Sequence, residues 1–258
     1  MIVIKSQADI EKMRVSCWAA AEVLQAVAAL VQPGVTTAQL DAAAGDLIKK
    51  YGGKSPFLGY KGFPCHTCIS VNEEVVHGVA GKRRIQYGDI VSIDVGIVLN
   101  GYVGDNATTV AVGVIEPRTQ QLLDVTQQAL VAGIAAARVG NRVGAISHAI
   151  QTTVEAQGFS VVREFVGHGV GKRMHEDPQI PNFGRPGDGA KLKPGMTLAI
   201  EPMINAGVSE VQMLADGWTV VTADGQPSAH FEHTVLVTEG DAEILTWLKK
   251  SPFESKAR

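Results

Sequence analysis

The chain has only three cysteines, Cys17, Cys65 and Cys68, an odd count that excludes the paired framework of a small secreted domain. The CHTC stretch at 65–68 lacks the second matching pair that a structural zinc site needs. Pro64 precedes it and strand-like Ile69-Ser70-Val71 follows, whereas a redox motif of this spacing opens a helix. Charge of one sign is also not in surplus. The 23 basic and 26 acidic side chains leave a net charge of -3, which provides no general attraction to nucleic acid or to an anionic membrane. The Lys82-Arg83-Arg84 run reads as a solvated loop. Long apolar runs are missing as well: the opening MIVIKSQADIEKM is too briefly apolar for a signal peptide, and the apolar stretch around Ala19 to Val31 is broken by Glu22 and Gln25. The expected location is the cytoplasm.

What is present is an ordinary globular composition, 45% hydrophobic and 19% charged over 258 residues, enough for a substantial core. A first helix is predicted where Ser6 and Asp9 form a capping box ahead of apolar positions at Ile10, Met13, Cys17, Ala20, Leu24, Val27 and Val31, with Pro33-Gly34 as the stop. A second starts near Thr36 or Thr37, buries Leu40, Ala44, Leu47 and Tyr51, and ends at Gly52-Gly53. A third and a fourth are predicted over about 117–139 and 143–157.

The segment beginning at Ser92, SIDVGIVLNGYVGDNATTV, has the pattern of an apolar hairpin turning at Asn100-Gly101, yet carries Asp94 and Asp105 within it. A four-residue loop from Val98 to Gly101 sets Ile97 against Tyr102 and Asp94 against Asp105; a loop of another length changes that register. Strand alternation puts Ser92, Asp94 and Gly96 on one face, and Ala107 and Thr109 on the side of Asp105. The acids therefore have small neighbours, which leave space for a cation or a substrate; close carboxylates repel unless a proton or a cation intervenes.

The chain also repeats itself. Gly34, Leu40, Ile48 and Gly52 recur 106 residues later as Gly140, Ile146, Val154 and Gly158. QYGDIVSIDVG then matches KPGMTLAIEPM at an offset of 107, pairing Gly88 with Gly195, Ile93 with Ile200 and Asp94 with Glu201. Asp105 and Glu232 each lie eight residues before a glycine, Gly113 and Gly240, which extends the correspondence to a second acid. Thr197, Ala199 and Thr234 give the second pair small or hydroxylated neighbours again. Helices followed by antiparallel strands, twice over, predict one α+β domain spanning 1–258, with halves at about 5–113 and 117–240 and a sheet curved around a shared site.

Two histidines stand among glycines. His168 lies in FVGHGVGKRMHEDP, with His175 seven residues on, and His77 lies in VVHGVAG. Those glycines exclude a stable helix and favour a loop in which the backbone comes close to a ligand. His66 and His230 read as loop or strand-edge residues, His148 as helical, and His233 as pointing away from Glu232. Two aspartates, two glutamates and one histidine form an oxygen-rich set suited to two divalent ions of borderline hardness, Mn, Fe(II), Co or Zn. Paired ions of this kind polarise a carbonyl and hold the attacking oxygen, the logic of two-metal hydrolases.

These residues resemble methionine aminopeptidases of type I, members of the pita-bread fold. The similarity runs from the first helix to about Thr246, and its most specific piece is Phe165-x-Gly167-His168-Gly169-Val170-Gly171-x-x-x-His175. The resemblance implies two pseudo-symmetric halves with a curved antiparallel sheet covered by helices. It implies metal ligands at Asp94, Asp105, His168, Glu201 and Glu232, with Asp105 and Glu232 bridging, Asp94 completing one site, and His168 with Glu201 completing the other. Glu201 would also carry a proton, His77 and His175 would contact the scissile amide and its carbonyl oxygen, and Tyr60, Phe63, Cys68, Met174 and Trp218 would line the methionine pocket. The implied partner is the N-terminal methionine of a nascent polypeptide with a small second residue, the ribosome being a candidate setting and a monomer the expected state.

This sequence departs from the family at Lys61, where many bacterial members have histidine, and at Phe57 and Met174, where cysteine and phenylalanine are common. The 30 residues between Glu201 and Glu232 are too few for the insertion of type II enzymes. Proline-specific relatives on the same scaffold typically add an N-terminal domain, and non-catalytic binding relatives usually lose ligands that are present here. An acid-pair glycosidase would leave His168 and His175 unused.

Overall fold

In the computed structural model, residues 1–248 are described. Four helices flank a curled sheet: α1 (Gln7–Ala28), α2 (Thr37–Lys50), α3 (Pro117–Ala136) and α4 (Val143–Glu155). The strands are β1 (Cys68–Val71), β2 (Glu74–Val76), β3 (Ile90–Leu99), β4 (Tyr102–Ala111), β5 (Ser160–Val161), β6 (Val166–Gly169) and β7 (Glu176–Pro181). There follow β8 (Thr197–Ile200), β9 (Met203–Asn205), β10 (Val211–Met213), β11 (Val220–Thr222), β12 (Ser228–His230), β13 (Glu232–Leu236) and β14 (Glu243–Ile244).

The helices begin and end for local reasons. The capping box of α1 forms, with Ser6 accepting from the Asp9 amide and Asp9 accepting from the Ser6 amide. Thr36 and Gln39 repeat the device on α2, which buries Leu40, Ala44 and Ile48, while Leu47 and Tyr51 stay half-buried at the rim. α3 stops at Ala136, three residues short of the expected end, because Asn141 donates its side-chain amide to the Ala136 carbonyl and closes the helix. Gly104 has no side chain because α1 lies on it: a Cβ there would sit 2.4 Å from the Ser16 carbonyl oxygen.

The main sheet runs β1-β3-β4-β13-β8-β6-β7, with β14 joined to β13. Its order is palindromic about the β4–β13 pair, so that β1, β3 and β4 of the first half answer to β6, β8 and β13 of the second. α1 and α2 pack on one side of the pseudo-twofold and α3 and α4 on the other, each helix pair over its own buried cluster. Burying a residue such as Leu40 or Ile146 contributes about 1.5–3 kcal/mol. The repeated glycines hold matching left-handed backbones, Gly34 and Gly140 at φ +91° and +93°, Gly52 and Gly158 at +74° and +70°. The repeated acids need a correction. Ser92 pairs with Thr109 and Ala199 with Thr234, and the Val112 amide bonds Asp89 as the Val237 amide bonds Met196. The ladders therefore make Glu232 the counterpart of Ala107, and His230 the counterpart of Asp105.

The hairpin register also differs from expectation. Asn100 and Gly101, both at positive φ (53° and 79°), form a two-residue turn, and Leu99 faces Tyr102. Asp94 consequently opposes Ala107, and Asp105 opposes Gly96. The shift is two residues, so each side chain keeps its predicted face.

Candidate metal centre and cleft

Five adjacent strands deliver the five predicted ligands to the inner face of the sheet. Asp94 comes from β3, Asp105 from β4, Glu232 from the start of β13, Glu201 from just beyond β8, and His168 from β6. Hydroxyl groups fix these strands: Thr234 donates to the Asp105 carbonyl at 2.7 Å, and Ser92 and Thr109 share a 2.8 Å bond. Asn182 donates to the Glu201 carbonyl at 3.1 Å.

His168 lies on a strand rather than in a loop, and its glycines serve the protein backbone rather than a ligand. A Cβ at Gly167 would come 2.5 Å from the Ala199 carbonyl oxygen, and one at Gly169 would come 2.2 Å from that of Asp177, because β6 is squeezed between β8 and β7. Gly78 beside His77 is required in the same way, 2.2 Å from the Ile69 carbonyl oxygen, and His77 itself holds φ +60°.

Asp105, His168 and Glu232 bring ligand atoms within 4.8 Å of one another. His168 Nε2 is 3.4 Å from Glu201 Oε1 and 3.9 Å from Asp105 Oδ2. Its Nδ1 lies 2.9 Å from the Gly169 carbonyl, which places the ring proton on Nδ1 and leaves Nε2 with a lone pair directed at carboxylates. Burial pulls the His168 pKa down to about 4, so the ring is neutral. Burial, reinforced by the other carboxylates, pushes Asp94, Glu201 and Glu232 well above the ordinary carboxylate range, and burial raises Asp105 to about 7.

This arrangement fits divalent cations. Asp94 Oδ1, Asp105 Oδ1 and Glu232 Oε1 are buried without a hydrogen-bond partner, and among the described residues no lysine or arginine forms an ion pair with any of the four acids. An unpaired buried charge costs several kcal/mol, which cation coordination would offset. Four carboxylates with one imidazole suit an ion of borderline hardness.

A cleft of about 740 Å³ opens beside these acids. His77, His175 and the predicted pocket residues Tyr60, Phe63, Cys68, Met174 and Trp218 all line it. Phe63 and Trp218 meet edge to face at 5.1 Å, while Tyr60, more exposed, sits at the rim with its hydroxyl 3.2 Å from His175 Nδ1. The His175 ring lies 4.5 Å from that of His168. Burial lowers the pKa of His77 to about 4 and also lowers that of His175, with the Lys61 ammonium adding to the latter. The Cys68 thiol, opposite Asp94 on β1, is held neutral by burial and by the nearby acids, and all three cysteines are free.

The model of metallopeptidase family M24 matches residues 11–239. The chain belongs to metallopeptidase family M24. This M24 chain is 51% identical over 246 residues to methionine aminopeptidase 1 of Bacillus subtilis, covering 95% of the chain and 99% of that relative. It is 49% identical to the methionine aminopeptidase of Clostridium acetobutylicum over 247 residues, again 95% and 99% of the two chains. A crystal structure of the methionine aminopeptidase from Thermotoga maritima superposes with a TM-score of 0.94 at 49% identity, over 95% of this chain and 99% of that one. The curled sheet with its two helix pairs is the pita-bread arrangement.

One residue of the M24 cleft escapes sequence reasoning. His230, expected in a loop or at a strand edge, is 2% exposed on β12, lines the cleft, and points Nε2 to within 3.6 Å of Glu201 Oε2. Its position two residues before Glu232 was the available signal, since alternate residues share a face. His233, by contrast, turns away and meets Thr246 Oγ1 at 2.8 Å.

Proposed function

We propose that this M24 chain is a metal-dependent aminopeptidase that removes the N-terminal methionine of newly made polypeptides, with a small second residue preferred. The observation that carries the reading is the cluster of buried, unpartnered carboxylate oxygens facing one end of an apolar-lined cleft. The near-full-length identity to methionine aminopeptidases supports the substrate.

Asp94, Asp105, His168, Glu201 and Glu232 would hold two divalent ions drawn from Co, Mn, Fe or Zn. When bound, such ions supply Lewis-acid polarisation of the scissile carbonyl and lower the pKa of water to near neutrality. Glu201, ionised once cations balance the cluster and made more basic by its raised pKa, would take the proton of the attacking water and pass it to the leaving amine. His77 and His175, both neutral by burial, act as N–H donors to the scissile amide and to its carbonyl oxygen as negative charge develops. Tyr60, donating to His175 Nδ1, would keep the ring proton on Nε2 for that purpose. Phe63, Cys68, Met174 and Trp218 enclose the methionine side chain, and Tyr60 closes the rim.

All five ligands come from one polypeptide, so a monomer suffices. Among the described residues no helix is long and apolar enough to cross a membrane. We place the enzyme in the cytoplasm, acting on chains as they leave the ribosome.

The test is peptide hydrolysis with each metal added singly to chelator-treated protein. Methionine release from Met-Ala-Ser, with Met-Leu-Ser and Ala-Pro-Ala left intact, is the expected result. Cleavage of Ala-Pro-Ala alone would replace this reading with that of a proline-specific relative.

A further inference from the structure

His230 is the one buried imidazole of the cleft to which neither metal coordination nor substrate contact has been given. Its backbone is fixed on both sides by Thr109 Oγ1, which accepts from the His230 amide at 3.0 Å and donates to its carbonyl at 2.8 Å. The ring therefore enters the site from a rigid strand. Its Nε2 is buried and without a hydrogen-bond partner, and a carboxyl oxygen, Glu201 Oε2, lies 3.6 Å away. The other oxygen of the same carboxylate faces His168 Nε2 at 3.4 Å. Glu201 thus stands between two imidazoles, one per oxygen.

The two rings cannot play the same part. His168 is committed by its Nδ1 contact with the Gly169 carbonyl to presenting a lone pair at Nε2, which suits a cation beside Oε1. A second lone pair aimed at Oε2 would only repel it, whereas an Nε2–H there forms a hydrogen bond once the gap closes by a few tenths of an ångström. Carboxylates that ligate metals are ordinarily oriented by such an outer donor, and these bonds tighten when the site is loaded. The pseudo-twofold explains why a histidine reaches this spot: His230 pairs with Met203 as Asp105 pairs with Gly96, so its side chain is directed into the same cleft from the other half of the chain, on β12.

We propose that His230 is a positioning residue that donates Nε2–H to Glu201 Oε2, holding this carboxylate so that Oε1 alone faces the cation next to His168. The inference rests on the metal-centre reading given above. It assigns the two oxygens of Glu201 different duties, one to the ion and one to His230.

The experiment is calorimetric titration of the chelator-treated full chain with Zn²⁺, using wild type, His230→Phe, His230→Leu and His230→Gln. Phenylalanine fills the space of the ring without a donor, leucine provides a second donor-free variant should phenylalanine not fold, and the glutamine amide restores a donor that does not titrate. Metal-free melting curves identify the folded variants. Loss of the donor is expected to weaken Zn²⁺ binding about 10- to 100-fold, the usual effect of removing an outer partner, with glutamine recovering most of it. In wild type labelled with ¹⁵N at histidine, the Nε2–H resonance of His230 should appear downfield on zinc loading and be missing from the donor-free variants. Wild-type affinity in the folded donor-free variants overturns the proposal. Equal weakening by glutamine and phenylalanine overturns it too, by making His230 a ligand in its own right. Absence of Zn²⁺ binding to wild type itself would instead remove the metal-centre reading, and the proposal with it.

Discussion

Asp94 and Asp105 stand diagonally across the β3–β4 ladder, Asp94 opposite Ala107 and Asp105 opposite Gly96. Diagonal neighbours on a sheet are about 7–8 Å apart along the backbone, against about 5 Å for direct partners. The wider spacing, over small residues, leaves room for cations between the carboxylates. Asp105→Ala removes one of the three side chains whose ligand atoms lie within 4.8 Å of one another. We expect a folded protein whose methionine release from Met-Ala-Ser falls by more than the roughly 100-fold typical of losing an outer partner. Wild-type turnover by this variant after exhaustive chelation and metal readdition would count against the site.

The raised acids should make the metal-free protein lose stability as pH rises, against an opposing contribution below about pH 6.5 from the buried histidines, whose pKa values are lowered. Burial raises Asp105 to about 7, and Asp94, Glu201 and Glu232 are also raised. For an acid whose folded pKa exceeds its unfolded value, the stabilising contribution is complete below the unfolded pKa and disappears as pH climbs through the folded one. Measured in chelator, the melting temperature of wild type should therefore fall relative to that of Asp105→Asn, in which this carboxyl cannot ionise, between about pH 4 and pH 7. Added Mn²⁺ should flatten the upper part of this profile and release protons on binding. A difference from Asp105→Asn that stays flat or rises over that range would contradict the direction assigned to Asp105.

His77 makes edge-to-face contacts with Phe165 at 5.3 Å and Trp218 at 6.5 Å, and it is not among the clustered ligand atoms. For His77→Ala we expect metal affinity within about twofold of wild type and a kcat lower by about 100- to 1000-fold, the loss typical of one donor to a developing oxyanion. Loss of bound ions in calorimetry would reassign the residue.

Lys5 and Glu176 form a buried ion pair at 2.7 Å, 171 residues apart in sequence. The pair joins the N-terminal segment to the loop that carries His175, and Gly171 leaves the space: a Cβ there would meet Lys5 Nζ at 2.9 Å. Lys5→Met strands a buried carboxylate and should cost about 3–5 kcal/mol in urea unfolding. Replacing both partners, Lys5→Met with Glu176→Leu, should recover most of that loss. Burial acts to raise the Glu176 pKa, but the hydrogen bonds from Lys5 and the Arg173 amide outweigh it and hold the pKa below its usual value. Its contribution is accordingly present above the unfolded pKa and lost as pH falls through the folded one. An additive double replacement would deny the coupling.

Much of this molecule is legible one segment at a time. The capping residues Ser6 and Thr36, the stops at Gly52 and Gly158, and the alternation around Asp94 and Asp105 are local properties, decided by backbone sterics and by a strand period of two. That period is why a hairpin register wrong by two residues still gave the correct acidic face, and why the repeat of Asp94 as Glu201 holds in the ladders whereas that of Asp105 as Glu232 is displaced.

Residue types at strand spacing thus determined that acids and imidazoles would face inward, because side-chain direction follows from the chain itself. Only the tertiary structure decided which of them meet. The pairing of β12 with β9, which sets His230 opposite Met203, puts His230 against Glu201, and the path of the N-terminus carries Lys5 to Glu176. Both contacts depend on how far the sheet curls and on which strands become neighbours. Those are outcomes of packing two helix pairs over one sheet, and no short stretch of sequence contains them.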